Sequence, residues 1–325
     1  MILDGHDSAA IGQAASRLAA GDLVAFPTET VYGLGARADD DAAVAKIFAL
    51  KGRPAGHPLI VHVAGRAEAS RFGELSPLAE RLIEAFWPGP VTVIVRRLPD
   101  IAAAAAAGLA TIGLRCPADP VAHALLVAAG EAGVDGIAAP SANRFGRISP
   151  TTAAHVVEEF GADLLVLDGG ATRLGIESAI VDCSGERPAL LRPGVLTSER
   201  IAAALGVPLG APDATSPPAP GTLLAHYAPR ARLRLMSTPM LKTALDVLGS
   251  DPLKLAVYSR SVPSGVATGV RHRRMPARPE QAAHELFAVL RELDSTGVHL
   301  IWVEEPPPGP EWDGVRDRLS RAAAT

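Results

Sequence analysis

The amino-acid sequence predicts an α/β protein of two domains joined by a proline-rich segment. Three observations support this prediction: the chain has 325 residues, 48% of them are hydrophobic, and short β-rich runs alternate with helical patterns. Aromatic residues make up only 4% of the chain, so the core must be built mainly from Ala, Val, Leu and Ile. The alternation by itself favours a small, mostly parallel sheet flanked by helices.

The first domain is predicted over residues 1–205. Its strands are short apolar runs at residues 22–26, 59–63, 91–95, 111–114, 136–139, 164–167 and 179–181. Helices fill the gaps: Ser8 is a candidate N-cap for a helix that ends at Gly21, and Asp41 for one that ends at Gly52. Two further helices are predicted over 76–86 and 151–160.

Residues 206–229 are predicted to form an extended linker, because 206–225 holds five prolines and only one charged residue, Asp213. The second domain then covers residues 230–325. Strands are predicted at 233–236, 255–258 and 300–303, and helices at 241–248, 280–293 and 314–323. This order predicts a small Rossmann-like α/β domain, which by itself assigns no ligand.

Composition excludes several classes of protein. The charge-free run 101–114 is shorter than the roughly 20 apolar residues of a membrane helix. Asp4 and Asp7 stand where a secretory signal would be basic, and two cysteines cannot form a disulfide framework. We therefore expect a cytoplasmic protein. The net charge is −7 for residues 1–229 and +3 for 230–325, so phosphates need a local cluster of basic groups.

The densest polar cluster is the segment 27–35, directly after an apolar strand, where Thr28, Glu29, Thr30 and Tyr32 stand close together. Such a loop can recognise a small polar molecule, or it can be a turn whose threonines bond to the backbone. The following Gly33–Ala38 run matches a loose dinucleotide fingerprint. We interpret it as a decoy, since a long loop precedes it and no acidic residue ends the next strand.

Lys51 and Arg53 follow the second predicted helix and suit adjacent phosphates, although basic residues also favour any helix C-terminus. We expect Lys51 to be exposed. Further polar residues stand at strand ends, namely His57, His62, Arg115, Ser141, Asn143 and Arg192. No Walker A, nucleophile-elbow or metal-ligand spacing occurs, so any Mg²⁺ is expected to enter with phosphates.

These residues together resemble the YrdC-type threonylcarbamoyl-AMP synthase family in its long, two-domain form. The matching segments are 27–35, 51–54, 58–62, 87–90, 111–117, 139–143, 149–151, 176–178, 191–194, 220–221 and 226–229. The resemblance implies an open, twisted sheet with mixed strand directions and a concave site in the first domain. It also implies a nucleotidyltransferase that converts L-threonine, bicarbonate and ATP to threonylcarbamoyl-AMP and pyrophosphate.

The resemblance further implies which residues form the site. The threonine site maps onto Thr30, His62, Arg115, Ser141 and Ser178. The ATP site maps onto Lys51, Arg53, His57, Thr111, Asn143, Ser149, Arg192 and Tyr227, with Lys51 and Arg53 opposing the phosphate charge and Mg²⁺ bridging phosphates. The product would pass to a tRNA threonylcarbamoyl transferase that modifies the adenosine beside the anticodon.

Two departures from the family pattern are His57, where Asn is usual, and Ala179, where Thr is common. A closing linker over the site is a further hypothesis, because Tyr227 is conspicuous in a featureless segment. Two alternatives stay open from the residues alone. One is an RNA-binding module that uses Arg144, Arg147 and the basic run 271–274 for phosphate contacts. The other is an ATP-dependent carbamoyl or acyl transferase with a different acceptor.

Overall fold

The computed structural model describes residues 1–248, 254–262 and 270–324, and it divides into two compact units. The first unit comprises Met1–Phe145 and Ser149–Thr222, and the second comprises Gly146–Ile148 and Leu223–Thr325. Most of the segment that the sequence assigns to a linker therefore packs with the first unit.

The first unit, all of whose residues are described, is built on one mixed sheet of 11 strands. The strands are β1 (Ile2–Asp4), β2 (Val24–Phe26), β3 (Gly33–Arg37), β4 (Ile60–His62), β5 (Gly73–Glu74), β6 (Val91–Arg97), β7 (Thr111–Arg115), β8 (Ile137–Ala138), β9 (Leu165–Asp168), β10 (Ala179–Asp182) and β11 (Ala189–Arg192). Their spatial order is β1-β9-β2-β3-β8-β4-β7-β6-β10-β11, with β5 paired to β6.

The mixed strand directions confirm the sheet that the family resemblance implies. Strand β4 runs parallel to β7, whereas β2 and β3 are antiparallel, as are β6 and β7. The expectation of a mostly parallel sheet is wrong for this unit. The loop 27–32 between β2 and β3 is too short to hold the crossover helix that a parallel connection needs.

Strand β3 lies in the Gly33–Ala38 run, which we interpreted as a decoy for a dinucleotide fingerprint and to which we assigned no strand. The sequence does not predict this strand, because Gly33 and Gly35 lower the β-propensity of the run. A Cβ atom at Gly35 would lie 2.7 Å from the Ile137 side chain and 2.8 Å from the Phe26 ring. The glycines therefore let Phe26 pack directly on the strand.

The first unit carries seven helices among its described residues. They are α1 (Ser8–Ala19), α2 (Asp41–Lys51), α3 (Arg66–Ala69), α4 (Pro77–Phe86), α5 (Pro120–Glu131), α6 (Ala153–Phe160) and α7 (Ser198–Leu205). The N-caps of α1 and α2 are Asp7 and Asp40, each one residue before the predicted cap. Gly52 ends α2 with a φ of 64°, as the sequence predicts.

The helices bury two apolar clusters. One cluster includes Val44 of α2, Leu82 of α4 and Val93 of β6. The other includes Leu18 of α1 and Leu125 of α5. A third, smaller cluster joins strand side chains to Ala219 of the predicted linker, so this part of the linker packs on strands.

The second unit has four parallel strands among its described residues, in the order β12-β15-β13-β14. Its elements are β12 (Arg232–Met236), α8 (Thr238–Leu248), β13 (Leu255–Ser259), β14 (Arg271–Arg274), α9 (Pro279–Ser295), β15 (Leu300–Glu304), a 3₁₀ turn (Pro310–Trp312) and α10 (Asp313–Ala323). The predicted parallel α/β domain is confirmed. The basic run 271–274, to which we assigned no element, is the edge strand β14. In the described parts of the chain, no helix has the length and apolarity to cross a membrane.

Candidate active site

The register of β4 and β7 places the predicted site residues on one face of the sheet. His62 is paired with Arg115, and Ile60 with Gly113. Because side chains alternate along a strand, all four positions share a face. Gly113 projects no side chain into this face, which leaves room above the sheet between Ile60 and Thr92.

A buried ion pair joins the loop after β2 to the end of β7. The Arg115 guanidinium Nη2 lies 2.8 Å from Oε1 of Glu29, and their side chains are only 4% and 2% exposed. Within the described residues, both Glu29 oxygens and the Nε and Nη2 atoms of Arg115 are buried without a hydrogen-bond partner that has good geometry. The pair thus keeps unused hydrogen-bonding capacity in a buried place.

His62 is a neutral neighbour of this pair. Burial, and secondarily the charge of Arg115, lowers the pKa of His62 to about 3. Its ring packs edge-on against Phe26 with the centroids 6.0 Å apart, and Nδ1 is buried without a partner among the described residues. A neutral imidazole can exchange hydrogen bonds with a ligand, but it adds no charge to the site.

The low pKa of His62 predicts a pH-dependent stability. Between pH 6.5 and about 3, the unfolded chain binds a proton that the folded chain does not, so the free energy of unfolding falls as the pH falls. Between pH 7.5 and 4.5, the titration of His62 lowers the free energy of unfolding of wild type by about 2 to 3 kcal/mol. We expect His62→Asn to lack this decrease. Urea denaturation at both pH values measures it, with the exposed His123→Asn as the control. Parallel pH dependences for wild type and His62→Asn would contradict the prediction.

The loop after β2 is held by its own threonines. The Thr28 hydroxyl donates to the carbonyl of Val31 at 2.7 Å and lies 2.8 Å from the hydroxyl of Thr30. Thr30 is fully buried beside Glu29. Tyr32, a member of the polar cluster that we left open between a recognition loop and a turn, donates its hydroxyl to the carbonyl of Gly170 at 2.7 Å. The tyrosine therefore fixes the neighbouring loop.

Lys51 is buried, which corrects the expectation that it is exposed. Its Nζ donates to the carbonyl of Ser141 at 2.5 Å and to that of Asn143. Burial, and then the charge of Arg53, holds the pKa of Lys51 well below its usual value. The correction has a long-range cause: residues 139–143 fold over the end of α2, which sequence periodicity does not reveal.

Arg53 and His57 both lie close to the ring of Phe145. The Arg53 guanidinium carbon is 5.7 Å from the centroid of the Phe145 ring, and the His57 ring centroid is 5.6 Å from it. Nη2 of Arg53 donates to the carbonyl of Pro58 at 3.1 Å. Burial and the charge of Arg53 lower the pKa of the half-buried His57. A flat aromatic surface with a fixed guanidinium suits a nucleotide.

A second buried arginine, Arg192, connects the loop before β10 to the predicted linker. Nε and Nη2 of Arg192 donate to the carbonyl of Ser178 at 3.1 and 2.9 Å, and Nη1 donates to the carbonyl of Pro220 at 2.9 Å. The Ser178 hydroxyl lies 2.9 Å from that of Thr92. Thr111 lines a narrow cleft with Thr92 and Pro220. Ala179, the departure from the family pattern, is buried in β10.

Contacts connect these groups within the first unit. Ser149 donates its hydroxyl to Glu177, the neighbour of Ser178, and the charge of Glu177 acts on Lys51. Tyr227 belongs to the second unit, where its ring stacks on Phe287 with the centroids 5.3 Å apart.

Sequence reasoning missed the roles of Glu29, Thr92, Phe145 and Glu177. Glu29 stood in the polar cluster after β2, and Glu177 stood in the 176–178 motif, so both had a signal that pointed to the site. Thr92 lies inside an apolar strand and Phe145 follows a loop motif. Their proximity to the site depends on strand register and chain reversal.

Comparison with known proteins places this arrangement in a family. A family model described as "Telomere recombination" matches residues 16–194, and one described as "Threonylcarbamoyl-AMP synthase, C-terminal domain" matches residues 196–324. Threonylcarbamoyl-AMP synthases of Bacillus subtilis and Pyrococcus abyssi are each 38% identical to the chain. The alignments cover 96% and 95% of this chain and 92% and 93% of those proteins.

A solved structure supports the same conclusion. The crystal structure of P. abyssi Sua5 complexed with L-threonine superimposes with a TM-score of 0.89 at 34% identity, over 99% of this chain and 97% of that one. Both units are therefore matched, in sequence and in fold. The chain belongs to the threonylcarbamoyl-AMP synthase family, in its two-domain form.

Proposed function

We propose that the first-unit site converts L-threonine, bicarbonate and ATP to threonylcarbamoyl-AMP and pyrophosphate. The observation that carries this proposal is the pair of buried cationic centres in one unit: Arg115 beside Glu29, and Lys51 beside Arg53. The first suits the charges of an amino acid, and the second suits a polyphosphate. The relation to synthases and to a threonine-bound structure supports the same assignment.

The chemistry asks for orientation and charge stabilisation rather than a covalent nucleophile. The threonine amine captures bicarbonate as a carbamate, whose oxygen attacks the α-phosphorus and displaces pyrophosphate. Lys51 and Arg53 oppose the charge that develops on the phosphates. Within the described residues, no group of three or more His, Cys, Asp or Glu side chains is placed to hold a metal. We propose that Mg²⁺ enters the site with ATP, because phosphate oxygens are among the ligands that it prefers.

Pyrophosphate release with one substrate omitted at a time tests the proposal. We expect release to require both threonine and bicarbonate, and mass spectrometry to detect threonylcarbamoyl-AMP. Dependence on another amine would instead indicate a transferase with a different acceptor. Tight RNA binding without turnover would indicate a binding module. Either result would overturn the proposed function.

We also propose that the segment ending at Thr222 protects the product. Pro218 and Pro220 line the cleft beside Thr111, and Arg192 holds the Pro220 carbonyl. Water exclusion matters, because a mixed carbamic–phosphoric anhydride hydrolyses readily.

The lid proposal predicts the behaviour of a double variant, Pro218→Gly with Pro220→Gly. Since glycine loosens the segment, we expect pyrophosphate release to persist while intact threonylcarbamoyl-AMP falls severalfold relative to AMP. Chromatography of the products measures the ratio, and Pro212→Gly, in an exposed part of the same segment, is the control. An unchanged ratio of threonylcarbamoyl-AMP to AMP in the double variant would contradict the lid proposal.

Two partners belong to the proposal. The product is consumed by a tRNA threonylcarbamoyl transferase, because so labile an intermediate must be transferred soon after release. Direct RNA contact at β14, where Arg271 and Arg274 are exposed, stays a prediction that fluorescence anisotropy with labelled tRNA checks.

A further inference from the structure

We infer that Glu29 binds the α-ammonium group of threonine and accepts the proton that the amine must lose before it attacks bicarbonate. The inference rests on the proposed function and assigns a catalytic role to a residue outside the expected threonine and ATP sites. It is carried by the geometry of the Glu29–Arg115 pair and by what surrounds that pair.

The first step is that the pair is incomplete by itself. Two charged side chains that are only 2% and 4% exposed meet through a single 2.8 Å contact. Burying such charges costs several kcal/mol per ion unless further hydrogen bonds satisfy the remaining lone pairs and protons. Apart from the ion contact between Oε1 and Nη2, no hydrogen bond within the described residues reaches the two oxygens of Glu29 or Nε and Nη2 of Arg115.

The second step is the match between these atoms and an α-amino acid. Nε and Nη2 form one edge of the guanidinium, which presents two parallel N–H donors to a carboxylate. The Glu29 oxygens accept protons only, as an ammonium group requires. A zwitterion therefore meets an opposite charge at each end, and the bound assembly stays neutral in a buried place.

The third step is that other candidate bases near Glu29 are less suitable. Burial and the Arg115 charge hold the pKa of His62 at about 3, so the imidazole retains little affinity for a proton. Cys116 is buried with its pKa raised to about 11, which keeps it a thiol. Asp119 caps α5 by accepting from the backbone N–H groups of Val121 and Ala122. Glu29, by contrast, contacts Arg115 as an ion pair, and within the described residues neither of its oxygens accepts a hydrogen bond from any other group.

The proposed proton transfer balances. The ammonium gives one proton to the Glu29 carboxylate, which leaves a neutral amine and a carboxylic acid. The amine lone pair then forms the N–C bond with bicarbonate while the C–OH bond breaks. The departing hydroxide takes the second amine proton and leaves as water. The products are the carbamate anion, one water molecule and protonated Glu29, which later returns its proton to solvent.

Equilibrium binding of two ligands tests the inference on the full chain without ATP. The ligands are threonine and 3-hydroxybutyrate, which keeps the carboxylate and hydroxyl but lacks the amine. We expect wild type to bind threonine at least about tenfold more tightly than 3-hydroxybutyrate, because a hydrogen-bonded charge pair is lost with the analogue. Glu29→Gln should lose about tenfold in threonine affinity, and its affinity for 3-hydroxybutyrate should not fall.

Specific outcomes would overturn the inference. If Glu29→Gln lowers the affinity for threonine and for 3-hydroxybutyrate by the same factor, Glu29 only positions Arg115. If it leaves threonine binding unchanged, Glu29 does not contact the amine. Should Glu29→Gln fail to fold, equal binding of the two ligands to wild type overturns the inference by itself. Glu29→Asp, which keeps the charge, should retain the preference for threonine. Because wild-type pyrophosphate release tests the function separately, the two proposals can fail independently.

Discussion

Replacing Lys51 by methionine is expected to lower pyrophosphate release at least about 100-fold, because it removes a buried cation beside the proposed phosphate site. The fold should survive. Loss of the Nζ donor leaves the carbonyls of Ser141 and Asn143 without this hydrogen bond, which lowers the free energy of unfolding by about 1 to 3 kcal/mol for each carbonyl. Burial already disfavours the charged form of Lys51, as its lowered pKa shows, so removal of this group offsets part of that loss in stability.

A lysine on the same helix provides the matched control. Lys46 also donates to a backbone carbonyl, that of Gly21 at 2.7 Å, but its side chain is 50% exposed. We expect Lys46→Met to keep near-normal turnover. Steady-state pyrophosphate assays and urea denaturation of both variants separate chemistry from stability. Comparable activity of Lys51→Met and Lys46→Met would remove Lys51 from the site.

A methyl group at Gly194 is expected to destabilise the first unit by about 2 to 3 kcal/mol and to raise the threonine KM at least about tenfold. A Cβ atom there would lie 2.5 Å from the backbone nitrogen of Ala179 and 3.0 Å from the carbonyl carbon of Ser178. Since both neighbours are backbone, the strand end must move. That movement carries the Ser178 hydroxyl and its contact with Arg192 away from their present positions.

Gly185→Ala is the control for this substitution, because a Cβ atom at Gly185 meets nothing within 4 Å. It should leave both the free energy of unfolding and the KM near wild type. Denaturant titration and threonine-dependent turnover measure the two effects. A Gly194→Ala protein with wild-type stability would show that β10 and the following loops adapt without strain.

The sequence placed the motifs at 51–54, 139–143 and 191–194 in one domain, and all three belong to the first unit, whereas Tyr227 belongs to the second. It did not predict how they gather. Lys51 looked like an exposed residue at a helix end, and only the return of residues 141–143 over that end buries it. The sequence also left the role of Tyr32 open, and its hydrogen-bond partner, the carbonyl of Gly170, lies 138 residues away in the chain.

Interactions between neighbouring residues determine where the helices and strands form, whereas long-range packing determines which side chains meet in the site. Caps, apolar runs and the terminal glycine of α2 are properties of neighbouring residues, so the chain alone determined most helices and strands and the parallel sheet of the second unit. The union of Glu29 with Arg115 depends on which strands become neighbours. Strand order follows from the burial of whole sheet faces, a cooperative energy that no short segment contains. The charge environment of the site was therefore fixed by tertiary structure alone.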